Sequence, residues 1–363
     1  MNPAAIQDAK NIVFIVTGGI GRNIMATAVI RNLKKTYPDK RVIVIAGFPD
    51  IFLKNPHIHR LFGASNPVYF YEDYIKDSQS VVLNVEPYQH SDYIYKRKHF
   101  TECWAEMCGI TLDSIYPEVF ITNAELELAE AFMQRFDKDL VMCQFEGGKV
   151  PEGKEDEKRL IARNAMYRRA IPEKIQKEIS DAIGLLNYRV GVVAHENQYA
   201  PAGADRISYP VRAMIALVPF AKQIVCVDSF LQHAAACFKK KAIVTWAGTS
   251  PVTLGYDCHV NLRRSVCDTP ECHRPNSYLF DIEPSGYQWE CPWSNRCTEY
   301  AASDVLTEFE KITESKHGEM RSVKSKVDIK VVGANPYESK PEPCPAHVGQ
   351  NGSDGKTPRA CPT

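Results

Sequence analysis

"NIVFIVTGGIGRNIMATAVIRNLKKTYPDKRVIVIAGF", residues 11–48, is the stretch on which the fold turns. Residues 11–19 are a short β-branched apolar run closed by glycines, the pattern of a strand buried on both faces. Residues 22–40 follow with helical spacing, placing Ile24, Ala28, Leu33 and Tyr37 roughly on one side, and Pro38 and Asp39 end the helix. RVIVIAGF (41–48) is the next strand. Strand, helix and strand in succession make a βαβ unit, which implies a parallel sheet and a right-handed crossover.

The alternation continues outward. PVYFY (67–71) and SVVLNVE (80–86) read as strands, HFTECWAEMCGI (99–110) as a helix, and ITNAELELAEAFMQRF (121–136) as a helix with Asn123 as its N-cap. A second α/β series starts at DLVMCQFEGG (139–148). A highly charged loop over 149–166 precedes an amphipathic helix at 171–187, with Pro172 in its first turn. YRVGVVAHE (188–196), QIVCVDS (223–229) and KAIVTWAG (241–248) are further strands, with helices at 211–221 and 229–239. From residue 316 the chain is rich in Pro, Gly and Ser and lacks apolar periodicity, the composition of a disordered tail. Within it KVDIKVV (326–332) is a candidate edge strand.

Across 363 residues, 44 Lys and Arg balance 44 Asp and Glu. Nothing global therefore draws the chain to bulk nucleic acid or an anionic membrane. Lys96, Arg97 and Lys98 form a short local basic run. The first residues lack the charged-then-apolar plan of a secretion signal, and no apolar run is long enough to span a bilayer. The expected location is cytoplasmic. Of twelve cysteines, Cys143, Cys226 and Cys237 sit in apolar runs and read as buried thiols.

In open α/β sheets ligands bind beyond the carboxyl ends of the strands, where helix N-termini favour anions. Three such junctions stand out. TGGIGRNIMAT (17–27) is glycine-rich without the dinucleotide spacing, and a tight turn is the competing reading. QFEGG (144–148) leads on to YRRAIP (167–172), where Arg168 and Arg169 could clamp a diphosphate or stand in a solvated basic turn. CVDSFLQHAAACF (226–238) ends a strand and opens a helix. Asp228 or Ser229 can cap that helix, which leaves His233 to be either a core residue or a contact for a sugar or phosphate.

GGIGRNIMATAVIRNLKKTYPDKRVIVIA resembles the opening of glycosyltransferase family 9, the ADP-heptose:lipopolysaccharide heptosyltransferase-like proteins. VDSFLQHAAACFKKKAIVTWAGTSP resembles that family's Asp-Thr-Gly-x-x-His-x-Ala-Ala signature and its following Gly-x-Thr-x-Pro turn. The resemblance implies a GT-B fold: two Rossmann-like, doubly wound parallel-sheet domains facing across a cleft. The expected division is 1–138 for the acceptor domain and 139–315 for the nucleotide-sugar domain, with a cysteine-rich insertion at 258–297 and the tail at 316–363. It also implies metal-independent, inverting transfer of a sugar from a nucleotide diphosphate sugar. The acceptor stays open among a glycan, a lipid-linked glycan and modified nucleic acid.

By the same resemblance Asp228, Ser229 and His233 would hold the donor's phosphates and sugar, and Glu196 its nucleoside. Gly147, Arg168 and Arg169 would lie at the phosphates, and Thr249 and Pro251 in the later turn. Gly19, Gly21 and Asn23 belong to the acceptor-side loop. The family's catalytic Asp falls at Arg22, which cannot accept a proton. Glu86 or Glu146 could serve instead, Arg22 could bind an anionic acceptor, or the chain could bind a nucleotide sugar without transferring it. The Asp-Thr-Gly motif is also altered, to Asp228-Ser229-Phe230.

Residues 267–297 hold two cysteine pairs, Cys267 with Cys272 and Cys291 with Cys297. Four thiolates suit a closed structural zinc site, with His273 as an alternative ligand. The intervals of four and five residues are looser than the usual knuckle, and disulfides or unpaired thiols are the other readings.

Overall fold

The computed structural model describes residues 3–65, 67–147, 169–267 and 294–319. After α1 (Pro3–Asp8) come β1 (Asn11–Val16), α2 (Ile20–Thr36), β2 (Arg41–Ala46), β3 (Arg60–Gly63) and β4 (Ser80–Leu83). The strands form a parallel sheet in the order β3-β2-β1-β4. β1 is central because both its faces are apolar. Ile12, Phe14 and Val16 pack in the cluster that holds α2, while Val13 packs opposite with Ile43 and Ile45.

The expected strand at 67–71 is not one. Tyr71–Ile75 is a short π-helical turn, preceded by Tyr69 at φ 57°. Phe70 and Tyr74, four residues apart, both set their rings edge-on to Phe62, at 5.8 and 5.9 Å. A helical interval here imitated a strand's run of aromatics. The strand beside β2 is instead β3, too short and polar to be seen in sequence.

α3 (Ser91–Ile94), α4 (Phe100–Met107) and α5 (Asn123–Met133) complete the first lobe. The N-cap of α5 is Thr122, not Asn123. Its hydroxyl accepts from Glu125 N while the Glu125 carboxylate takes Thr122 N, a capping box.

The second lobe holds β5 (Leu140–Gln144), α6 (Glu173–Leu185), β6 (Arg189–Val193), β7 (Asp205–Ile207), α7 (Val211–Leu217), β8 (Gln223–Val227), α8 (Phe230–Cys237), β9 (Ile243–Trp246), α9 (Pro251–Leu254), β10 (Val260–Arg263) and α10 (Ala302–Glu319). Its strands are parallel in the order β10-β9-β8-β5-β6-β7. Every residue of β5 and β8 is buried. At ~1.5–3 kcal/mol for each large aliphatic side chain, such strands are strongly placed. β10, inside the stretch read as an insertion, is a half-exposed edge strand of this sheet. α10 runs through Glu319, past the 315/316 boundary, and sets Val305, Phe309 and Ile312 against Ile179 and Ile183 of α6. Residues 326–332 lie outside the described residues.

The architecture is thus the GT-B arrangement of two doubly wound parallel-sheet lobes. One apolar cluster runs from Ile24 and Trp104 of the first lobe to Phe230, Leu231 and Trp246 of the second. No helix among the described residues is long and apolar enough to cross a membrane.

Candidate active site

Strand order reverses beside β1 in the first sheet, between β1 and β4, and beside β5 in the second, between β5 and β8. Ligand crevices of open α/β sheets form at such switch points. The chain leaving those four strands supplies Gly18–Arg22, Glu86–Tyr88, Phe145–Gly147 with Arg169, and Asp228–Ser229.

In the second lobe, Asp228 is 2% exposed at the end of β8. Its Oδ1 accepts from Gln232 Nε2 at 2.5 Å. Its Oδ2 is buried without a hydrogen bond, and Arg169 Nη1 stands 3.8 Å away. Arg169 Nη1 also donates to the Asp228 carbonyl at 3.2 Å. Burial pushes the Asp228 carboxyl up, opposed by the Arg169 charge and then by the Thr249 and Gln232 side chains. Arg169 Nε, Gln232 Oε1 and Thr249 Oγ1 are also buried without hydrogen bonds among the described residues. Gly147 borders this group, and a Cβ there would make ordinary contact with Arg169 Cζ at 3.5 Å and Asp228 O at 3.6 Å.

The cap of α8 differs from expectation. Ser229 makes no side-chain cap bond, and Asp228 is turned to Gln232. Gln144, the last residue of β5, does the work from the neighbouring strand: its Oε1 accepts from Leu231 N at 3.1 Å.

In the first lobe, Arg22 Nη1 pairs with Glu86 Oε2 at 2.8 Å. The guanidinium also lies 5.2 Å from the Trp104 ring centroid and 5.5 Å from that of Tyr88. Glu86 Oε1 accepts from Tyr88 N at 3.3 Å and so caps the short 3-10 turn Pro87–Gln89. Gly18 holds φ +87°. Asn23 is fully buried and is a brace for the loop. It donates to Gly18 O and Gly19 O and accepts from Phe48 N.

The lobes meet where the first turns of α2 and α8 touch. A Cβ on Gly21 would lie 2.6 Å from His233 Cδ2. His233 Nδ1 is 2.9 Å from Tyr256 OH, and the residue is 4% exposed. In the structure it packs between the lobes, as the core reading of the sequence has it. Burial pushes its imidazole down to about 3, with His99, His259 and Arg169 adding to the effect. His99 from the first lobe and His259 also set their rings against Tyr256, at 5.3 and 5.6 Å. Two further links join the lobes. Tyr116 OH donates to Asp257. Arg212 binds both oxygens of Glu125 at 2.5 and 2.6 Å and the carbonyls of Asp50 and Phe120.

Other expected residues fall elsewhere. Glu146 is half-buried and accepts from Gln176 Nε2 of α6 at 3.2 Å. Burial pushes its carboxyl up. Glu196 is exposed in a turn. Cys237 is half-buried, whereas Cys143 and Cys226 are buried. Arg168, Cys272, His273 and Cys291 lie outside the described residues, so Cys267 and Cys297 stand alone of the four-cysteine set. His90, Asp92 and Glu106 cluster with metal-like spacing, but the Lys98 ammonium already bridges Asp92 and Glu106 at 2.9 and 2.7 Å.

Sequence reading missed Tyr88, Trp104, Gln144, Gln232 and Arg212. A Gln ending an otherwise apolar strand was the available signal for Gln144, though nothing local tied it to α8. Tyr88 and Trp104 had none, because their meeting with Arg22 is purely tertiary.

Comparison with solved structures places this fold in a known class. The glycosyl transferase family 9 protein from Veillonella parvula DSM 2008 superposes with a TM-score of 0.58 at 14% identity, covering 85% of this chain and 98% of its own. The dodecameric iron-containing heptosyltransferase TibC of enterotoxigenic E. coli H10407, in complex with ADP-D-β-D-heptose, gives 0.57 at 13% identity, over 86% of this chain and 79% of its own. E. coli ADP-heptose lipopolysaccharide heptosyltransferase II gives 0.50 at 11% identity, over 85% and 99%. No protein-family model and no curated protein sequence matches the chain. The chain shares the fold of glycosyltransferase family 9.

Proposed function

We propose that the chain is a glycosyltransferase that binds a nucleotide diphosphate sugar on its second lobe and transfers the sugar to an acceptor hydroxyl on its first. The supporting observation is the group of buried, unbonded polar atoms at the second switch point: Arg169 Nε, Asp228 Oδ2, Gln232 Oε1 and Thr249 Oγ1. Unmade buried hydrogen bonds cost ~1–3 kcal/mol each, so a cluster of them suits a ligand that completes them. A guanidinium beside a helix amino end favours a diphosphate.

In the proposed reaction the acceptor oxygen attacks the anomeric carbon from the side opposite the leaving group. The bond between that carbon and the phosphate oxygen breaks, and configuration inverts. Arg169 and the amino end of α8 carry the charge that develops on the departing diphosphate, the role a preorganised electrostatic site fills best. The proton leaves the acceptor hydroxyl for the Glu86 carboxylate, which Arg22 holds in place. The acceptor is a glycan, a lipid-linked glycan or modified nucleic acid.

One observation favours a second reading. Both oxygens of Glu86 already accept hydrogen bonds, from Arg22 and from Tyr88 N. A carboxylate so engaged suits a protein that binds the nucleotide sugar and leaves it intact. Incubation with ADP-heptose, UDP-glucose and GDP-mannose separates the two. Release of nucleoside diphosphate supports transfer, thermal stabilisation without release supports the silent binder, and neither effect removes both readings.

A further inference from the structure

Tyr88 belongs to the first lobe yet stands among charges of both. Its backbone is fixed by the Pro87–Gln89 turn and the Glu86 cap. Its ring is held by Phe100 at 4.8 Å, Tyr93 at 5.3 Å and the Arg22 guanidinium at 5.5 Å. The hydroxyl has no hydrogen bond among the described residues, and the residue is half-buried where Tyr93 is buried. Burial pushes the phenol up to about 12. Arg22 and Glu86 of its own lobe, and Arg169 and Asp228 of the other, are the charges that act on it. A rigid side chain thus presents a free hydroxyl, protonated at neutral pH, between the two switch points.

We propose that Tyr88 is a specificity-determining residue whose hydroxyl hydrogen-bonds the sugar of the donor and not its nucleotide. The inference rests on the glycosyltransferase reading. With the diphosphate against Arg169 and the amino end of α8, the transferred sugar is the next group toward the first lobe, where Tyr88 waits. A neutral hydroxyl both donates and accepts, which suits a polyol better than a phosphate. A site built to bond one hydroxyl rejects analogues that lack it.

The test measures binding of three probe pairs to the full chain and to Tyr88→Phe: ADP-heptose with ADP, UDP-glucose with UDP, and GDP-mannose with GDP. The substitution keeps the ring and its packing. For the pair that the wild type binds, the variant is expected to hold the nucleoside diphosphate within twofold and the nucleotide sugar about tenfold more weakly, the scale of one lost hydrogen bond. Equal weakening of both members, or of neither, overturns the inference while leaving the donor site standing. A wild type that binds no pair overturns the donor site and this inference together.

Discussion

Arg22 and Arg169 hold equivalent places, one at each switch point, but their surroundings differ. Arg22 is paired with Glu86 at 2.8 Å and bordered by two aromatic rings. Arg169 reaches the Asp228 carboxylate only at 3.8 Å, and its side chain is 27% exposed. Of the orphaned buried atoms, the first site holds Arg22 Nε and Trp104 Nε1, while the second holds four on four residues. A site whose charges are already matched gains little from a ligand anion. One with an unmatched guanidinium N–H and an unmatched hydroxyl beside a helix start gains more, while its unmatched acceptors, Asp228 Oδ2 and Gln232 Oε1, suit sugar hydroxyls. Ligand affinity is therefore expected to reside in the second lobe, and the proton-handling groups in the first.

Two substitutions break that comparison if it is wrong. Glu86→Gln should lower turnover about a thousandfold, within the range for loss of a general base, while donor affinity stays within twofold. Turnover that survives, or affinity that falls as far as turnover, would move the base elsewhere. Arg169→Ala should weaken donor binding by calorimetry about a hundredfold, the scale of two lost charge-assisted contacts. Undiminished binding would mean that the second lobe's orphaned atoms serve no anion.

How far the chain could be read in advance also differs between the lobes. The strands β1, β2, β5 and β8 were legible because a strand buried on both faces must be a continuous apolar run. β3, β7 and β10 were not, since edge strands of three or four residues with mixed polarity carry no period of their own. The site was legible only as junctions. Gly18, Arg169 and Asp228 sit where strand ends predict a ligand. His233 was readable as either a core residue or a ligand contact, and its place as a wedge between lobes depends on Gly21, more than two hundred residues away in sequence. Glu86 could be named as a strand-ending acid, but nothing local announced its pairing with Arg22.

The glycines of the first loop sharpen the comparison further. At Gly19 the Cβ direction is open, with nothing within 4 Å, whereas at Gly21 it runs into His233 at 2.6 Å. His233 cannot swing aside easily, being tied to Tyr256. Gly21→Ala is expected to destabilise the chain by about 2 kcal/mol in denaturant melts, the cost of overpacking, while Gly19→Ala stays near neutral. The reverse ranking would make Gly21 a ligand-access glycine and free the lobes from this contact.

The last expected effect, seen only as pH falls, concerns the histidines around Tyr256. Burial pushes His233 down to about 3 and His99 and His259 to about 4. Backbone carbonyls of Leu254 and Gln232, and for His259 the Asp257 charge, pull partly the other way. In the unfolded chain each imidazole titrates near ~6.5. Between those values the unfolded state binds more protons, so stability is full above about pH 6.5 and falls as pH drops toward 4. Each group contributes up to about 1.4 kcal/mol per pH unit in that window. His259→Gln should flatten the slope of stability against pH between 6.5 and 4 by about one proton. An unchanged slope would leave the acid sensitivity of that window to His233 and His99, because Glu125, which Arg212 holds down at about 2, acts mainly below pH 4.5. That outcome would leave His259 without a part in the acid response, and the two imidazoles set against Tyr256 from either lobe would govern how the interlobe contact responds to protonation.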